Sequence, residues 1–293
     1  MNASIIIVNW NTGPMLRECL DSLPGAFSNN EEYEVFVIDN ASVDQSVAIA
    51  EGSPQKIQLF KVKKNLGFAK ANNIGIRQSK GDYVILLNPD TVATEGCFTK
   101  LIAFLQEKPK VAAVGPRLLN ADLSWQPSCR SFPSVGVLAA MFLKLPHFFP
   151  NMVGYRKYLM KDFTYESETV VDQIMGACMV IPRDMLDRIG LLDEKYWIWF
   201  EEVDWCRRAK ELGLEIWFAP VSEIVHYGGV SFKQAFVPVR KEWRFMRSAL
   251  RYVRKHIGIR HWLLLCLIAP LGLIIDSLTM IVWLKPSAKN STK

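Results

Sequence analysis

The sequence predicts an α/β protein built on a mostly parallel sheet with helices on both faces. Three observations predict it. Strand-length apolar runs and helix-like segments alternate five times over residues 4–115. The connections between them are short. The strand runs are continuously apolar and β-branched, which is how strands covered on both faces read.

The elements follow in order. SIIIVN (4–9) is a first strand, and Thr12 is placed to cap a helix through about Leu23, with Leu16, Leu20 and Leu23 on one face. EVFVID (34–39) is a second strand, and Ser42, followed by Asp44 and Gln45, starts a second helix. IQLFKV (57–62) and a helix over 68–79 come next, then DYVILLN (82–88), a helix over 95–107 and VAAVG (111–115). Such sheets bind ligands beyond the carboxyl ends of their strands. Asn9 to Asn11, Asp39 to Ser42 and Asn88 to Asp90 all stand at strand exits. Pro89 has no N–H for the ladder and stops the fourth strand, which leaves Asp90 at the crevice rim. Asn-Pro is also an ordinary turn dipeptide, so LLNPD alone is weak.

Beyond 115 the pattern loosens. SFPSVGVLAAMFLKLPHFFPN (131–151) is apolar and broken by prolines. It reads as a lid, a membrane-facing loop or a packed insertion. DQIMGACMVIPRDML (172–186) is a strand leading into a short helix, and IWFAP (216–220) is another strand. WFEEVDWCRRAKELG (199–213) starts a helix whose first turn holds Glu201, Glu202 and Asp204. Acids there suit the helix dipole. Tyr196, Trp197, Trp199, Phe200 and Trp205 surround them, and an apolar wall raises a carboxylate toward the range of a general base. Exposed aromatics would also stack on a sugar. His226 precedes a glycine pair in EIVHYGG and gains meaning only if it meets Asp90.

The 293 residues are half apolar, which is enough for a full core. None of the six cysteines forms a CxxC pair or a zinc-like cluster with histidine. They read as buried free thiols in a reducing compartment. MNASIIIVNWNT lacks the basic region and cleavage site of a signal peptide and reads as a strand. Of the net charge of +6, residues 233–293 carry +10, from twelve Lys/Arg against Glu242 and Asp276. The body therefore carries −4, which argues against a nucleic-acid partner and for a local contact with anionic lipid.

SIIIVNWN, VIDNAS, NLGFAKANNIGI, GDYVILLNPD, MGACMVIPRDML, FEEVDWCRRAKELG and IVHYGG occur in this order. Together they resemble the family 2 glycosyltransferases, within the rhamnosyltransferase-like branch, over roughly residues 3–260. The resemblance implies a GT-A fold, a nucleotide-sugar donor (a dTDP- or UDP-sugar, with dTDP-rhamnose the branch's substrate), a divalent metal (Mg²⁺ or Mn²⁺) and inversion at the anomeric carbon. It implies a catalytic domain over 1–232, with a nucleotide-sugar half to about 115 and an acceptor half from 116. Asp39 resembles the carboxylate that accepts from the pyrimidine ring NH. Asn9, Asn65, Asn73 and Asn88 resemble donor-side positions. Asp90 resembles the metal ligand of a DxD motif, and His226 a second ligand. Glu202 resembles the general base, with Glu201 and Asp204 as the alternatives. Asn88 replaces the first acid of DxD, and Glu202 stands where an aspartate is usual.

In the tail, Phe236, Val239, Trp243, Met246, Leu250, Val253 and Ile257 form an apolar stripe at helical spacing, with basic residues on the other faces. This is either a helix lying on an anionic membrane or one docked on protein with a solvated basic face. WLLLCLIAPLGLIIDSLTMIVWL (262–284) is long enough to span, but Pro270, Gly272 and Asp276 favour a hairpin or an in-plane helix pair. Either reading places the catalytic domain at the cytoplasmic face of the membrane and suggests a lipid-linked glycan acceptor. Two other enzyme classes are disfavoured: VNWNTGPM has no basic triphosphate loop, and no GxGxxG follows the first strand. The non-enzyme alternative is a degenerate nucleotide-sugar-binding protein.

Overall fold

The computed structural model describes residues 2–28, 31–228 and 238–283. The chain divides into two compact units, 1–132 with 159–235, and 133–158 with 236–293.

The first unit is a curled, mixed sheet between two layers of helices. Its opening half is β1 (Asn2–Asn9), α1 (Gly13–Ser22), β2 (Glu32–Asp39), α2 (Ser46–Glu51), β3 (Ile57–Lys61), α3 (Phe68–Gln78) and β4 (Tyr83–Leu87). A short β5 (Thr91–Ala93), α4 (Cys97–Gln106), β6 (Val111–Leu119), β7 (Trp125–Gln126) and β8 (Cys129–Arg130) follow. After the excursion into the second unit come β9 (Thr169–Val171), β10 (Gln173–Ile174), β11 (Cys178–Pro182), α8 (Arg183–Ile189), α9 (Glu201–Glu211) and β12 (Glu215–His226).

The strand order is β3-β2-β1-β4-β11-β6-β12-β5. The first four strands pair in parallel. The expected parallel sheet ends there. β11 enters between β4 and β6, antiparallel to both. VAAVG is thus not the direct neighbour of the fourth strand. A segment more than sixty residues later in the chain takes that place, which local alternation does not encode.

The continuous apolar runs arise from burial on both faces. Along β1, Ile5 and Ile7 enter one core while Ile6 and Val8 enter the other. Leu16, Leu20, Phe98 and Leu101 from α1 and α4 close the first core. Ala69, Ile76, Met185, Leu186 and Trp205 from α3, α8 and α9 close the second. Each Leu, Ile, Phe or Met among them, fully buried, contributes about 1.5–3 kcal/mol. Thr12 does not cap α1 with its side chain. Its hydroxyl donates instead to Asn9 Oδ1 at 2.6 Å.

The second unit contains α5 (Val135–Phe142), α6 (Leu145–Phe148), α7 (Val153–Tyr158), α10 (Pro238–His256) and α11 (Ile259–Trp283). The proline-broken stretch expected in the acceptor half therefore folds as short helices, and it packs with the C-terminal ones. Met246, Ala249, Tyr252 and Val253 of α10 are buried, so the inner part of its stripe is docked on protein. Trp243 alone of the stripe's described large residues is half exposed, and Phe236 and Val239 lie outside the described side chains. Pro270 and Gly272 do not break the last segment into a hairpin, because α11 is one helix through both. A Cβ at Gly272 would come within 2.4 Å of the Phe142 carbonyl oxygen, so glycine there permits the α11–α5 contact. Among the described residues no helix is long and apolar enough to cross a membrane.

Candidate active site

Strand register assembles the polar edge. β1 and β2 pair so that Asn9 lies opposite Asp39. Asn9 Nδ2 donates to Asp39 Oδ1 and to Ser42 Oγ, both at 3.0 Å. The backbone N–H of Ser42 donates to Asp39 Oδ2 at 3.1 Å. Each Asp39 oxygen therefore keeps a lone pair beyond these bonds. Asn9 is buried with both ends of its amide engaged, so it orients Asp39 and leaves little for a ligand.

Asn65 stands one layer further out. Its Oδ1 accepts from Asn40 Nδ2 at 3.1 Å and from the Gly67 N–H at 2.9 Å. Gly67, at φ +84°, lies under Trp197, where a Cβ would sit 2.2 Å from the carbonyl oxygen. That same carbonyl accepts from the Phe68 N–H at 2.8 Å. Asn73 holds the same arm of chain. Its amide bonds Leu192 O at 2.8 Å, the Leu192 N–H at 3.2 Å and Glu194 at 3.1 Å. Fully buried, it is a clamp between α3 and residues 190–197 rather than an open donor-side contact. NLGFAKANN thus serves largely to seat the arm that leads into α9.

A second convergence forms where β5 meets the end of β12. Their antiparallel register sets His226 opposite Thr91, and the Tyr227 N–H donates to Asp90 O at 3.0 Å. His226 Nε2 then lies 3.3 Å from Asp90 Oδ1 and 3.3 Å from Asn88 Nδ2. Asp90 and His226 are both buried. The pairing that the lone histidine needed is present. It is made by a three-residue strand, Thr91–Ala93, that the sequence pattern did not reveal.

The acidic trio separates into different environments. Asp204 is fully buried, receives Arg208 Nε at 2.9 Å and lies 3.3 Å from the Tyr196 hydroxyl. Arg208 also donates to Ile189 O and Leu191 O, so Asp204 anchors a structural bracket. Tyr196, Phe200 and Trp205 are core residues, leaving Trp197 and Trp199 as the partly exposed aromatics. Glu201 and Glu202 begin α9 directly after Trp199 and Phe200, whose φ values of 59° and 70° are left-handed. Two such non-glycine residues together cost roughly 1–3 kcal/mol each and aim the helix start. Oε2 of each glutamate is buried without a hydrogen-bond partner among the described residues. Burial raises the pKa of both, and the neighbouring Glu202 charge raises Glu201 further.

One turn touches both sets of residues. The Asn88 N–H donates to Ala177 O at 2.9 Å. A Cβ at Gly176 would lie 3.6 Å from the Phe68 ring and 3.8 Å from Glu202 Cβ. Asn88 and Glu202 therefore flank the same Gly176–Ala177 turn. Sequence reading missed Gln126, whose Oε1 is 2.6 Å from His226 Nδ1. Nothing in WQPS marks it, since only the fold brings β7 beside the end of β12.

The residues present fit a divalent cation only in part. No cluster of three or more His, Cys, Asp or Glu with metal-binding geometry occurs among the described residues. Asp90 and His226 supply one hard oxygen and one imidazole nitrogen, within 3.3 Å of each other. That is a two-ligand half-site of the kind completed by substrate phosphates and water.

This site sits on a GT-A fold, at the carboxyl edge of its parallel strands. The model of glycosyl transferase family 2 matches residues 4–164, more than half of the chain, and the chain belongs to that family. It is a glycosyltransferase, and rhamnosyltransferases are among the curated proteins it resembles. It is 27% identical over 237 residues to the N-acetylglucosaminyl-diphospho-decaprenol L-rhamnosyltransferase of Mycobacterium tuberculosis, covering 76% of this chain and 75% of that one. It is 24% identical over 263 residues to the rhamnosyltransferase WbbL of Escherichia coli, covering 86% and 93%. Among solved structures it resembles the mannosyltransferase PcManGT of Pyrobaculum calidifontis in complex with GDP-Man and Mn²⁺. The TM-score is 0.57 at 17% identity, over 99% of this chain and 76% of that one. It also resembles GalNAc-T7 with UDP, GalNAc and Mn²⁺, at a TM-score of 0.58 and 16% identity, over 77% of this chain and 44% of that one.

The glutamate pair makes a prediction about stability. A carboxyl whose folded pKa lies above its unfolded value, about 4.3 for glutamate, binds more protons when native. Folding stability should fall as pH rises from that value through the raised folded pKa, then level off. Glu201→Gln and Glu202→Gln should each flatten this decline. Urea midpoints at pH 5 and pH 8 measure it, and a wild-type midpoint that rises with pH alongside unchanged variants would contradict the assignment.

Proposed function

We propose that the chain is an inverting, metal-assisted transferase that moves a sugar, rhamnose from dTDP-rhamnose, onto a lipid-linked glycan acceptor in cell-surface glycan synthesis. The observation that carries this reading is the joint arrangement of Asn88, Asp90 and His226 with Glu202 about one turn. Related folds solved with GDP-Man and with UDP-GlcNAc support a nucleotide-sugar donor. A relative named for N-acetylglucosaminyl-diphospho-decaprenol supports a lipid diphosphate acceptor.

In this reading Asp39 accepts the ring NH of the thymine or uracil through its remaining lone pairs. Asp90 and His226 would hold a Mg²⁺ or Mn²⁺ ion, which when bound neutralises charge growing on the departing diphosphate. Glu202, or Glu201 beside it, takes the proton of the acceptor hydroxyl as that oxygen attacks the anomeric carbon. The bond from that carbon to the diphosphate oxygen breaks on the opposite side, which inverts the centre. A raised pKa suits a carboxylate that must take and later release a proton near neutral pH. The partly exposed Trp197 and Trp199 offer faces on which an acceptor sugar can stack.

Glu202→Gln should lower kcat about 10²–10⁴-fold and leave donor binding within about threefold. The rate with wild-type enzyme should rise with pH through a pKa above the ordinary carboxylate range. Equal losses in Glu201→Gln and none in Glu202→Gln would transfer the role to Glu201. No loss in either would remove the base from this helix and favour the degenerate binding protein.

The second unit supports attachment to an anionic membrane. Ile259, Leu263, Leu264, Leu267, Leu271 and Ile274 form an exposed face of α11, while Arg240, Lys241, Arg247, Arg254, Lys255 and Arg260 are exposed on the same pair of helices. The apolar face shown to solvent thus belongs to α11, while Met246, Ala249 and Val253 of α10 are covered. Paired apolar and basic surfaces are what an interfacial helix presents to anionic lipid, at about 1 kcal/mol per basic residue near the surface. The protein should float with vesicles containing phosphatidylglycerol and remain in solution with phosphatidylcholine alone. Leu267→Glu with Leu271→Glu should release it, and unchanged flotation would place the contact elsewhere.

A further inference from the structure

We propose that Gln126 is a positioning residue that holds His226 in the tautomer whose bare Nε2 faces Asp90. This rests on the metal-assisted reading above.

The argument runs along a chain of hydrogen bonds anchored on main-chain carbonyls, which can only accept. Asn120 Nδ2 donates to Trp125 O at 3.3 Å and to Ser124 Oγ at 2.9 Å. Asn120 must therefore turn its oxygen toward Gln126. Gln126 Nε2 donates to that oxygen at 3.0 Å and to the carbonyl of His226 itself at 3.0 Å. Both amide hydrogens are then used, and both acceptors fix which end of the carboxamide is nitrogen. What remains is Oε1, 2.6 Å from His226 Nδ1. An amide oxygen accepts only, so Nδ1 carries the proton. In the neutral ring Nε2 is then bare, with its lone pair 3.3 Å from a carboxylate oxygen of Asp90. The amide nitrogen of Asn88 lies at the same distance, as a donor to a bare nitrogen would.

A carboxylate oxygen and a bare ring nitrogen do not bond each other, so the lone pair on Nε2 is open to the Asn88 N–H or, in its place, to a cation that Asp90 also holds. Imidazole binds a cation through the nitrogen that lacks the proton, and the partner of the other nitrogen selects which that is. The fold supplies this partner by register. β7 pairs with β6 so that Gln126 lies opposite Leu118, beside the last residues of β12. Loss of such a partner in metal sites costs about 10–100-fold in affinity.

The test follows Mn²⁺ binding by the electron paramagnetic resonance of free Mn²⁺ with UDP present, and the His226 tautomer by nitrogen NMR of ¹⁵N-histidine protein without metal. Wild type should show a single Nδ1–H form. Gln126→Ala should give a mixture of tautomers and bind Mn²⁺ about 10–100-fold more weakly. Gln126→Glu, which keeps the acceptor and loses both donors, should restore binding to within about threefold. Should Gln126→Ala not fold, Asn120→Ala removes one anchor of the amide and should shift tautomer and affinity in the same direction. An unchanged tautomer ratio in these variants overturns the proposal. His226→Ala serves as the reference. If it leaves Mn²⁺ affinity intact the metal reading fails, whereas a strong effect there with none in Gln126→Ala overturns only the role given to Gln126.

Discussion

Asn9 meets Asp39, and Asn88 follows Leu87 out of the sheet, because β1 pairs in register with β2 on one side and β4 on the other. Every other feature of the site depends on that edge. The alternate burial of β1 side chains in two cores fixes the register strongly, since a slip of one residue would exchange the contents of both cores. The polar groups are thus held by hydrophobic packing several residues away. The Asn9–Asp39–Ser42 bonds tighten an arrangement already made by strand pairing.

The costs of the fold gather in one arm. Residues 190–204 include Trp199 and Phe200 in left-handed backbone, followed by buried Glu201 and partly buried Glu202, each with an Oε2 that has no partner among the described residues. Isolated, such a segment would relax. It is held by Asn73, by the Gly67–Trp197 approach, and by the Asp204–Arg208 bracket. Residues that resemble donor contacts or catalytic acids in sequence thus also serve as restraints. The restraint matters chemically, because a carboxylate kept from water and from other partners stays available to an incoming hydroxyl.

Much of this was legible in the chain. Alternating runs predicted the parallel strands β1 to β4 and the helices between them, because local periodicity reports burial directly. The strand exits marked Asn9, Asp39, Asn88 and Asp90. Features made by distant pairings were not legible. β11 was legible as a strand, but its insertion between β4 and β6 was not. β5 is three residues long and β7 is two, so neither has a pattern to detect. His226 and Gln126 are brought to Asp90 by those short strands. Asn73 and Asp204 carried the right residue types, yet their burial and partners give them structural work. In α10 the apolar stripe was correctly periodic, but periodicity says that a face is covered and not by what.

The central claim is that the carboxyl edge binds a nucleoside diphosphate through Asp90. Calorimetric titration with UDP, dTDP and GDP, with and without Mn²⁺, of wild type and Asp90→Ala tests it most directly. The account predicts that a pyrimidine diphosphate binds, that Mn²⁺ strengthens binding, and that Asp90→Ala removes this metal dependence. Tighter binding of dTDP than of UDP would match a rhamnose donor. Absence of diphosphate binding, or binding unchanged in Asp90→Ala, would reduce Asn88-Pro89-Asp90 to a turn and contradict the account.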